Sequence, residues 1–336
     1  MVITTRRSEK PTLRTIADLS GLAVPTVSRA LNDAPDIGTD TKARVRAIAN
    51  QIGYVPNRAG VRLRTGKTNV ISLVLGTDNE VTDHTGQLVS SIAAALRDTR
   101  YHLNVTPYFP SEDPMIPVRY IVETASADAV ILNRVEVEDP RVTYLMERKF
   151  PFVCFGRSKW REAHPYFDFD NMAFGRIAAE AMAEEGCRKV ALLAPPLSQN
   201  YSQDMIEGAQ SAFEGSDIDF EILQGISGDD RGDIIQERIS SYLRSAPTCD
   251  GLICPSTTAT VAAVIGAESI GREVGRDLHV FAKEAIPFLQ HFRSHIGTAR
   301  EDVREAGGFL AKAAIRAVEF PDLEPMQKLI SAVRSE

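Results

Sequence analysis

The chain has 336 residues, of which 43% are hydrophobic and 25% charged, so its composition fits a globular protein of two or three domains. It contains no apolar run of about eighteen residues and no apolar segment near its start, which argues against a membrane span and against a secretory signal. The formal charge of −7 would argue against a nucleic-acid partner if it were evenly spread.

The charge is not evenly spread. Residues 1–68 carry twelve Lys or Arg against five Asp or Glu, whereas the remaining residues carry 26 against 40. A basic head on an acidic body is typical of a tethered nucleic-acid binder. A solvated basic face without a partner would give the same counts, so charge alone leaves both interpretations open.

Three short helices are predicted at the start of the chain, over about residues 13–20, 24–31 and 39–52. Thr12 is placed to cap the first helix, and apolar residues recur on one face of each. The spacing of Ala17, Gly21 and Val27 is typical of a helix-turn-helix, which needs a small residue at the crossing, a turn glycine and a buried aliphatic. Three unrelated core residues on two ordinary helices would also fit.

The second helix presents side chains suited to a major groove. Thr26, Ser28 and Arg29 lie on its exposed side, next to Val24 and a proline tolerated in the first turn. Asn32 follows, either as a phosphate contact or as a helix cap. Residues 56–68 form a basic segment with a single large aliphatic residue, which we expect to fold into a helix only against a DNA groove.

The segments TLRTIADLSGLAVPTVSRALND and TKARVRAIANQIGYVPNRAGVRLRTGKT resemble the DNA-binding domain and hinge of the LacI/GalR family of bacterial repressors. The resemblance implies base readers on the second helix, backbone contacts around it, and a leucine that wedges into the minor groove. The DNA-binding candidates are Thr12, Arg14, Val24, Pro25, Thr26, Ser28, Arg29, Asn32, Tyr54, Asn57, Arg58, Arg62 and Leu63. Two residues depart from the family pattern: Ala23 replaces a common capping Ser, and Gly60 replaces a common Ala.

Beyond residue 69, short apolar runs alternate with helical stretches such as 87–97, 175–185 and 258–270. This alternation predicts parallel sheets in α/β layers, with a ligand cleft at the carboxyl ends of the strands. Strands are predicted over 70–75, 103–107, 129–132, 152–155, 189–193, 251–254 and 279–282.

The resemblance implies a core of two doubly wound subdomains, similar to periplasmic sugar-binding proteins and joined by crossings near 167–170, 297–300 and 320. The predicted fold is therefore an all-α helix-turn-helix domain (11–55), a hinge helix (56–68) and an α/β core (69–336). Within the core, the N-subdomain is expected to hold about 69–167 and 298–320, and the C-subdomain about 168–297 and 321–336.

The cleft positions depart from the family pattern, so their chemistry must be considered directly. A sugar site needs planar polar groups for hydroxyls and an aromatic ring for the C–H face; Tyr201, Trp160 or Tyr108 could supply the ring. For each polar candidate, a loop hydrogen bond or a surface ion pair is an equally good interpretation. The effector-binding candidates are Thr77, Asn133, Arg157, Asp170, Tyr201, Gln203, Ser256, Lys283 and Glu284.

Catalytic and metal-binding motifs receive little support. The six histidines lack metal-ligand spacing, the four scattered cysteines indicate free thiols in a reducing cytosol, and no nucleophile elbow or phosphate loop is present. Asp229-Asp230 and Glu184-Glu185 are expected to be solvated surface rather than paired catalytic carboxylates. We therefore expect no enzymatic activity, no metal and no cofactor.

These features predict a cytoplasmic repressor of carbohydrate-utilisation genes that binds pseudo-palindromic operator DNA as a homodimer. A small sugar or oligosaccharide, expected to be an inducer, would control it. An exported sugar-binding module would need a signal peptide, and a Rossmann-type enzyme would need glycines where residues 76–80 read GTDNE. The C-terminal LEPMQKLISAVRSE lacks leucine heptads, which favours a dimer over a tetramer.

Overall fold

The computed structural model describes residues 10–55, 60, 62, 65–76, 83–109 and 112–335. It divides into two compact units, with the boundary between Thr68 and Asn69. Most of the predicted hinge helix lies outside the described residues, as do four candidate site residues: Asn57, Arg58, Leu63 and Thr77.

The first unit contains the three predicted helices: α1 (Leu13–Ser20), α2 (Val24–Leu31) and α3 (Thr39–Gln51). The Thr12 hydroxyl accepts from the backbone N–H of Thr15, and the Thr15 hydroxyl accepts from that of Thr12, so α1 begins with two satisfied donors. Gly21 ends α1 at φ 68°, a conformation that costs glycine little. The apolar faces meet in a small core: Ile16, Ala17, Val27, Ala30, Val45 and Ala49.

The second unit alternates strands and helices. Its order is β1 (Val70–Gly76), α4 (Asp83–Leu96), β2 (His102–Tyr108), α5 (Met115–Thr124), β3 (Ala129–Leu132), α6 (Pro140–Glu147), β4 (Phe152–Phe155), a 3-10 turn (Arg161–Ala163), β5 (Tyr166–Phe169), α7 (Asn171–Glu184), β6 (Lys189–Leu192), α8 (Asn200–Phe213), β7 (Asp219–Ile222), α9 (Gly232–Ser245), β8 (Gly251–Cys254), α10 (Thr257–Glu268), β9 (His279–Glu284), α11 (Leu289–Phe292), β10 (Ile296–Arg300), α12 (Val303–Glu319), β11 (Gln327–Ile330) and β12 (Val333–Arg334).

The strands form two six-stranded sheets. The first sheet has the order β11-β5-β4-β3-β1-β2 and is parallel throughout. The second has the order β12-β10-β9-β8-β6-β7, in which only β12 runs antiparallel. We call the first sheet with α4, α5, α6 and α12 the first lobe, and the second sheet with α7 to α11 the second lobe. Buried apolar clusters cover both faces of each sheet, as parallel sheets require.

The chain passes between the lobes after β5, after β10 and after β11. The third crossing was predicted near residue 320, and this prediction is wrong. Because β11 pairs with β5 from Gln327 to Ile330, the chain remains in the first lobe until it enters β12 at Val333. Residues 298–300 likewise belong to β10 of the second lobe and not to the first. The error has a physical cause: β11 is a half-exposed edge strand and lacks the apolar run that marks a buried one.

Candidate nucleic-acid interface and ligand cleft

Helix α2 has one buried and one open face. Val27 and Ala30 are buried against α1 and α3, whereas Val24 is 38% exposed and Pro25 and Arg29 are also exposed. The half-buried Thr26 and Ser28 complete the open face: Val24, Pro25, Thr26, Ser28 and Arg29. Its short hydroxyls, small apolar groups and single guanidinium match what base edges in a major groove accept.

The two ends of α2 are held differently. At the N-terminal end, Ala23 provides no side-chain hydrogen bond, as the departure from the family pattern predicted. At the C-terminal end, the Asn32 side-chain amide donates to the Ser28 carbonyl at 2.6 Å. Of the two roles expected for Asn32, phosphate contact or helix cap, this contact corresponds to the helix cap. Arg29 forms an ion pair with Asp36, and since both side chains are about half exposed, this pair can exchange for a phosphate at little cost.

The other described DNA-binding candidates lie before and after α2 in the sequence. Thr12 and Arg14, at the start of α1, are exposed, and so is Arg62. Tyr54 packs its ring against the core of the first unit, and burial raises the pKa of its phenol, so the hydroxyl remains a donor. A donor of this kind suits a DNA phosphate.

A cavity of about 260 Å³ lies between the two lobes, and we call it the first cavity. The ends of β1, β3, β4 and β5 contribute to it from the first lobe, and the segments after β7, β8, β9 and β10 from the second. Both sheets therefore point their carboxyl ends at one space, where ligands bind in open α/β folds. Five of the predicted effector residues line this cavity: Asn133, Tyr201, Ser256, Lys283 and Glu284.

Lys283 links three elements around the cavity. Its Nζ lies 2.7 Å from the Glu301 carboxylate, donates to Asn171 Oδ1 at 2.8 Å, and sits 5.1 Å from the centroid of the Tyr201 ring. The ammonium charge is thus neutralised by a buried carboxylate, while the tyrosine ring is held at the cavity wall. This arrangement suits a neutral, hydroxyl-rich ligand.

Glu284 is the most deeply buried candidate, at 2% exposure. Its Oε2 accepts from the backbone N–H groups of Phe288 and Leu289, both at 3.1 Å. Its Oε1 is buried and accepts no hydrogen bond from any residue that the structure describes. A buried acceptor in a cavity wall without a partner favours a ligand that brings a donor, such as a hydroxyl group.

Two candidates have local partners at the cavity wall. The Ser256 hydroxyl accepts from the backbone N–H of Ala259 at 3.3 Å and caps α10, so its own proton remains available to a ligand. Asn133 Oδ1 accepts from the backbone N–H of Gly76 at 3.4 Å. Both groups are therefore oriented before any ligand binds.

Three described candidates lie outside the cavity wall. Arg157 donates to Asp168 at 2.8 Å and to Asp204 at 2.7 Å. Asp170 caps α7 by accepting from the backbone N–H of Ala173, and Gln203 donates to the Leu197 carbonyl. In the structure these three side chains therefore form local hydrogen bonds or ion pairs, which was the alternative to ligand binding.

A second cavity, of about 460 Å³, adjoins the first. Tyr108, one of the aromatic residues predicted to pack on a sugar ring, lines this second cavity. Trp160, another of them, packs into the first lobe and lines neither cavity. Arg141 Nη1 donates to the Tyr108 hydroxyl at 3.4 Å and holds the ring in place.

Sequence reasoning missed several wall residues of the first cavity. His84 stacks on Phe155 with centroids 5.7 Å apart, and burial lowers the pKa of this imidazole, which keeps it neutral. Asp229 and Asp230, expected to be solvated surface, line both cavities, and Asp229 lies 3.3 Å from Arg134. The pair lies in the segment that follows β7, and the four-residue, half-exposed DFEI pattern of this strand was too short to be predicted from the sequence.

Within the described residues, no group of three or more His, Cys, Asp or Glu side chains could hold a metal ion. No described helix is long and apolar enough to cross a bilayer. All four cysteines are free and buried.

Residues 12–57 match the bacterial regulatory proteins of the lacI family, and residues 89–288 match the periplasmic binding protein domain. The HTH-type transcriptional regulator AglR of Rhizobium meliloti (strain 1021) is 29% identical over 327 residues, covering 93% of this chain and 90% of AglR. The chain belongs to the LacI family of bacterial regulatory proteins. It is therefore a transcriptional regulator with a helix-turn-helix DNA-binding domain, as the sequence motifs predicted.

Solved LacI-family structures share the fold along the whole chain. The transcriptional regulator CelR-cellobiose complex superposes with a TM-score of 0.71 at 22% identity, covering 97% of this chain and 99% of that one. The Lac repressor dimer bound to operator and the anti-inducer ONPF superposes with a TM-score of 0.82 at 17% identity, covering 98% of each. The predicted fold class is thus confirmed.

Proposed function

We propose that the chain is a repressor of carbohydrate-utilisation genes that binds a pseudo-palindromic operator as a homodimer and releases it when a small sugar occupies the cleft. The observation that carries the ligand part is the unpartnered, buried Glu284 Oε1 in a cavity wall shared with the Tyr201 ring. An acceptor for a hydroxyl beside an aromatic ring is the combination that sugars require. The cellobiose bound by the similar CelR supports the same ligand class.

On the DNA side, we assign DNA binding to residues 11–55 and the hinge to 56–68. The open face of α2 reads bases in the major groove, while Thr12, Arg14, Tyr54 and the basic hinge contact the backbone. Asn57, Arg58, Arg62 and Leu63 belong to this set through the family resemblance. Two copies of the chain would read the two half-sites, since operator symmetry reflects protein symmetry.

On the ligand side, Asn133, Ser256 and Glu284 orient hydroxyl groups, Tyr201 packs on the ring face, and Lys283 fixes Tyr201 and Glu301. A ligand that contacts both lobes biases their relative position, because it binds one arrangement better than the other. The segment 56–68 connects this movement to the DNA-binding unit. The resulting loss of operator affinity is expected to correspond to about 1–3 kcal/mol.

We further infer a cytoplasmic location, where the DNA partner is found, and no catalytic step. Each of the two acidic pairs that could suggest catalysis has a basic side chain beside it: Arg134 lies beside Asp229, and Arg334 lies beside Glu184.

The DNA part is tested by selecting duplexes from a random library with the full-length protein and measuring affinity for the selected site. Arg29→Ala is expected to weaken binding about tenfold or more and to relax one base position, since a good arginine–guanine contact is worth roughly 1–3 kcal/mol. Arg188→Ala removes the same charge from an exposed position of the second lobe and should leave affinity unchanged. Equal affinities for both variants would contradict the assigned reading face.

The ligand part is tested by titrating the protein–DNA complex with a panel of mono- and oligosaccharides. At least one sugar should lower operator affinity by about 5- to 150-fold. Glu284→Gln should abolish the response to that sugar while preserving DNA binding. A complex that no sugar in the panel dissociates would overturn the ligand assignment.

A further inference from the structure

The first and second cavities share part of their walls. The same five residues line both: Gly76, Arg134, Asp229, Asp230 and Arg231. Gly76 lies at the junction, where an added Cβ would come within 3.1 Å of Tyr108 Oη and 3.3 Å of Arg134 Cδ. The absence of a side chain at Gly76 therefore lets Tyr108 and Arg134 pack closely against the backbone at the junction.

The combined size of the two cavities leaves room for a ligand that extends past this junction. The first cavity, at about 260 Å³, is smaller than the roughly 300–1,000 Å³ typical of small-molecule sites. The second holds about 460 Å³. Together the two spaces lie within the typical range, which the first does not reach alone.

The wall of the second cavity also contains a buried hydrogen-bond acceptor. Gln199 is 7% exposed and lines this cavity. Its buried side-chain carbonyl oxygen, Oε1, accepts no hydrogen bond within the described part of the chain. A buried amide oxygen in this position favours a ligand that supplies a hydroxyl proton. Gln199 thus provides in the second cavity what Glu284 provides in the first, a buried acceptor for a hydroxyl group of the ligand.

An aromatic wall faces the same space. The Tyr108 ring lines the second cavity and lies 5.9 Å from the Arg141 guanidinium. Arg141 is 2% exposed and is itself fixed by Asp139 and by the carbonyl groups of Asn133 and Arg134. Because this network is buried, the ring is a rigid surface for the C–H face of a pyranose.

The second cavity is lined by more acidic than basic side chains: Glu112, Glu136, Asp139, Asp229 and Asp230 against Arg134, Arg141 and Arg231. Asp139 pairs with Arg141, Asp229 with Arg134, and the Glu112 carboxylate accepts from the backbone N–H of Phe109. An anionic ligand would meet this excess of negative charge, whereas a neutral polyhydroxylated ligand would not. The lining therefore favours a neutral carbohydrate over an anionic ligand such as a sugar phosphate.

We propose that the second cavity is an additional sugar subsite, so that the ligand is a disaccharide or a longer saccharide with one unit in each cavity. This inference rests on the proposed function. It assigns ring stacking to Tyr108, hydroxyl recognition to Gln199, and the junction between units to Gly76 and the Arg134–Asp229 pair.

The test compares saccharides of increasing length on the full-length protein by isothermal titration calorimetry. Two series serve as probes: glucose, maltose and maltotriose, and galactose, melibiose and raffinose, with cellobiose as a further disaccharide. At least one disaccharide or trisaccharide should bind about tenfold or more tightly than its constituent monosaccharide, a difference of about 1.4 kcal/mol.

A steric variant locates the second unit. Ile234 of α9 lines the second cavity and is 40% exposed, so Ile234→Trp should fill the space without disturbing the fold. This change should remove the preference for the longer sugar and leave monosaccharide affinity within about twofold. Ile265 of α10 is equally exposed and lines neither cavity, so Ile265→Trp is the matched control and should preserve the preference.

The outcomes separate the two proposals. If a monosaccharide binds as tightly as every longer sugar, or if Ile234→Trp has no more effect than Ile265→Trp, the second subsite is wrong and the sugar-controlled repressor stands. If no sugar of any length binds, the proposed ligand class fails and the subsite fails with it. Gln199→Met, which retains size and removes the amide, gives a second measurement and should weaken only the longer sugar.

Discussion

Arg157 of the first lobe forms an ion pair with Asp204 of the second, with Nη2 2.7 Å from Oδ2. The same guanidinium donates through Nε to Asp168 of β5 at 2.8 Å. The three side chains are between 5% and 18% exposed, so the pair is screened little by solvent. One arginine thus connects a strand of one lobe to a helix of the other.

Removing the second-lobe partner should weaken the core. We expect Asp204→Asn to lower the free energy of unfolding by about 1–3 kcal/mol, less than for an isolated buried pair because Arg157 keeps Asp168. Urea unfolding of the full chain measures the change. Glu207→Gln alters charge equally on the exposed face of the same helix and should have little effect; a comparable loss in both variants would argue against a specific lobe contact.

Asp168 should give the core a defined pH dependence. Burial raises the pKa of this carboxyl from 3.8 to about 7, although Arg157 opposes the shift. The folded state therefore binds a proton more readily than the unfolded state, and this contribution to stability is present below about pH 4 and lost as the pH rises to about 7.

The stability difference between the wild-type protein and Asp168→Asn isolates this contribution. It should fall with increasing pH across that window, with a slope no steeper than about 1.4 kcal/mol per pH unit. Urea unfolding at half-unit intervals measures it. A difference that is constant between pH 4 and 7 would show that Asp168 titrates in its ordinary range.

The uncapped start of α2 offers a stabilising substitution. Ala23→Ser supplies a hydroxyl acceptor for the free N–H groups of the first turn and should stabilise the first unit by about 1 kcal/mol. Amide hydrogen exchange in α2 reports the gain. Ala23→Val has no acceptor and should give no added protection; equal protection in both variants would mean that capping is not the cause.

Two neighbouring glycines of α12 should respond in opposite directions. A Cβ on Gly307 would lie 1.9 Å from Ser91 Oγ and 2.8 Å from the backbone nitrogen of Ile92, whereas a Cβ on Gly308 would meet nothing within 4 Å. Gly307→Ala should therefore cost about 1–3 kcal/mol through overpacking against α4. Gly308→Ala should gain up to about 1 kcal/mol of helix propensity. Thermal unfolding of both variants would contradict the described packing if their melting temperatures shifted alike.

The parts of the fold that depend on local signals could be predicted. Helices α1 to α3 follow from Thr12, Gly21 and the apolar spacing, and strands such as β3 are continuous apolar runs buried on both faces. Strands β7 and β11 are half exposed, and only their sheet neighbours make them strands, so their short patterns carried no clear signal.

The same distinction applies to the cleft. Ser256, Lys283 and Glu284 directly follow or end buried strands, and their position in the chain was enough to place them at the cavity. Arg157 also follows a strand, yet its side chain is directed by Asp168 and by Asp204, which is 47 residues away. Ion pairs between residues this far apart in the chain cannot be predicted from one sequence.

The order in which the chain visits the lobes has a consequence for its synthesis. Apart from the short, exposed edge strand β12, the second lobe is assembled from residues between Asn171 and Arg300, whereas the first lobe still lacks α12 and β11 when Arg300 leaves the ribosome. Leu310 and Ala314 of α12 belong to the apolar cluster that buries Leu88 and Ile92 of α4. The lobe begun first is therefore the last to close its core, and until then the nascent chain exposes an apolar surface that favours aggregation or chaperone binding.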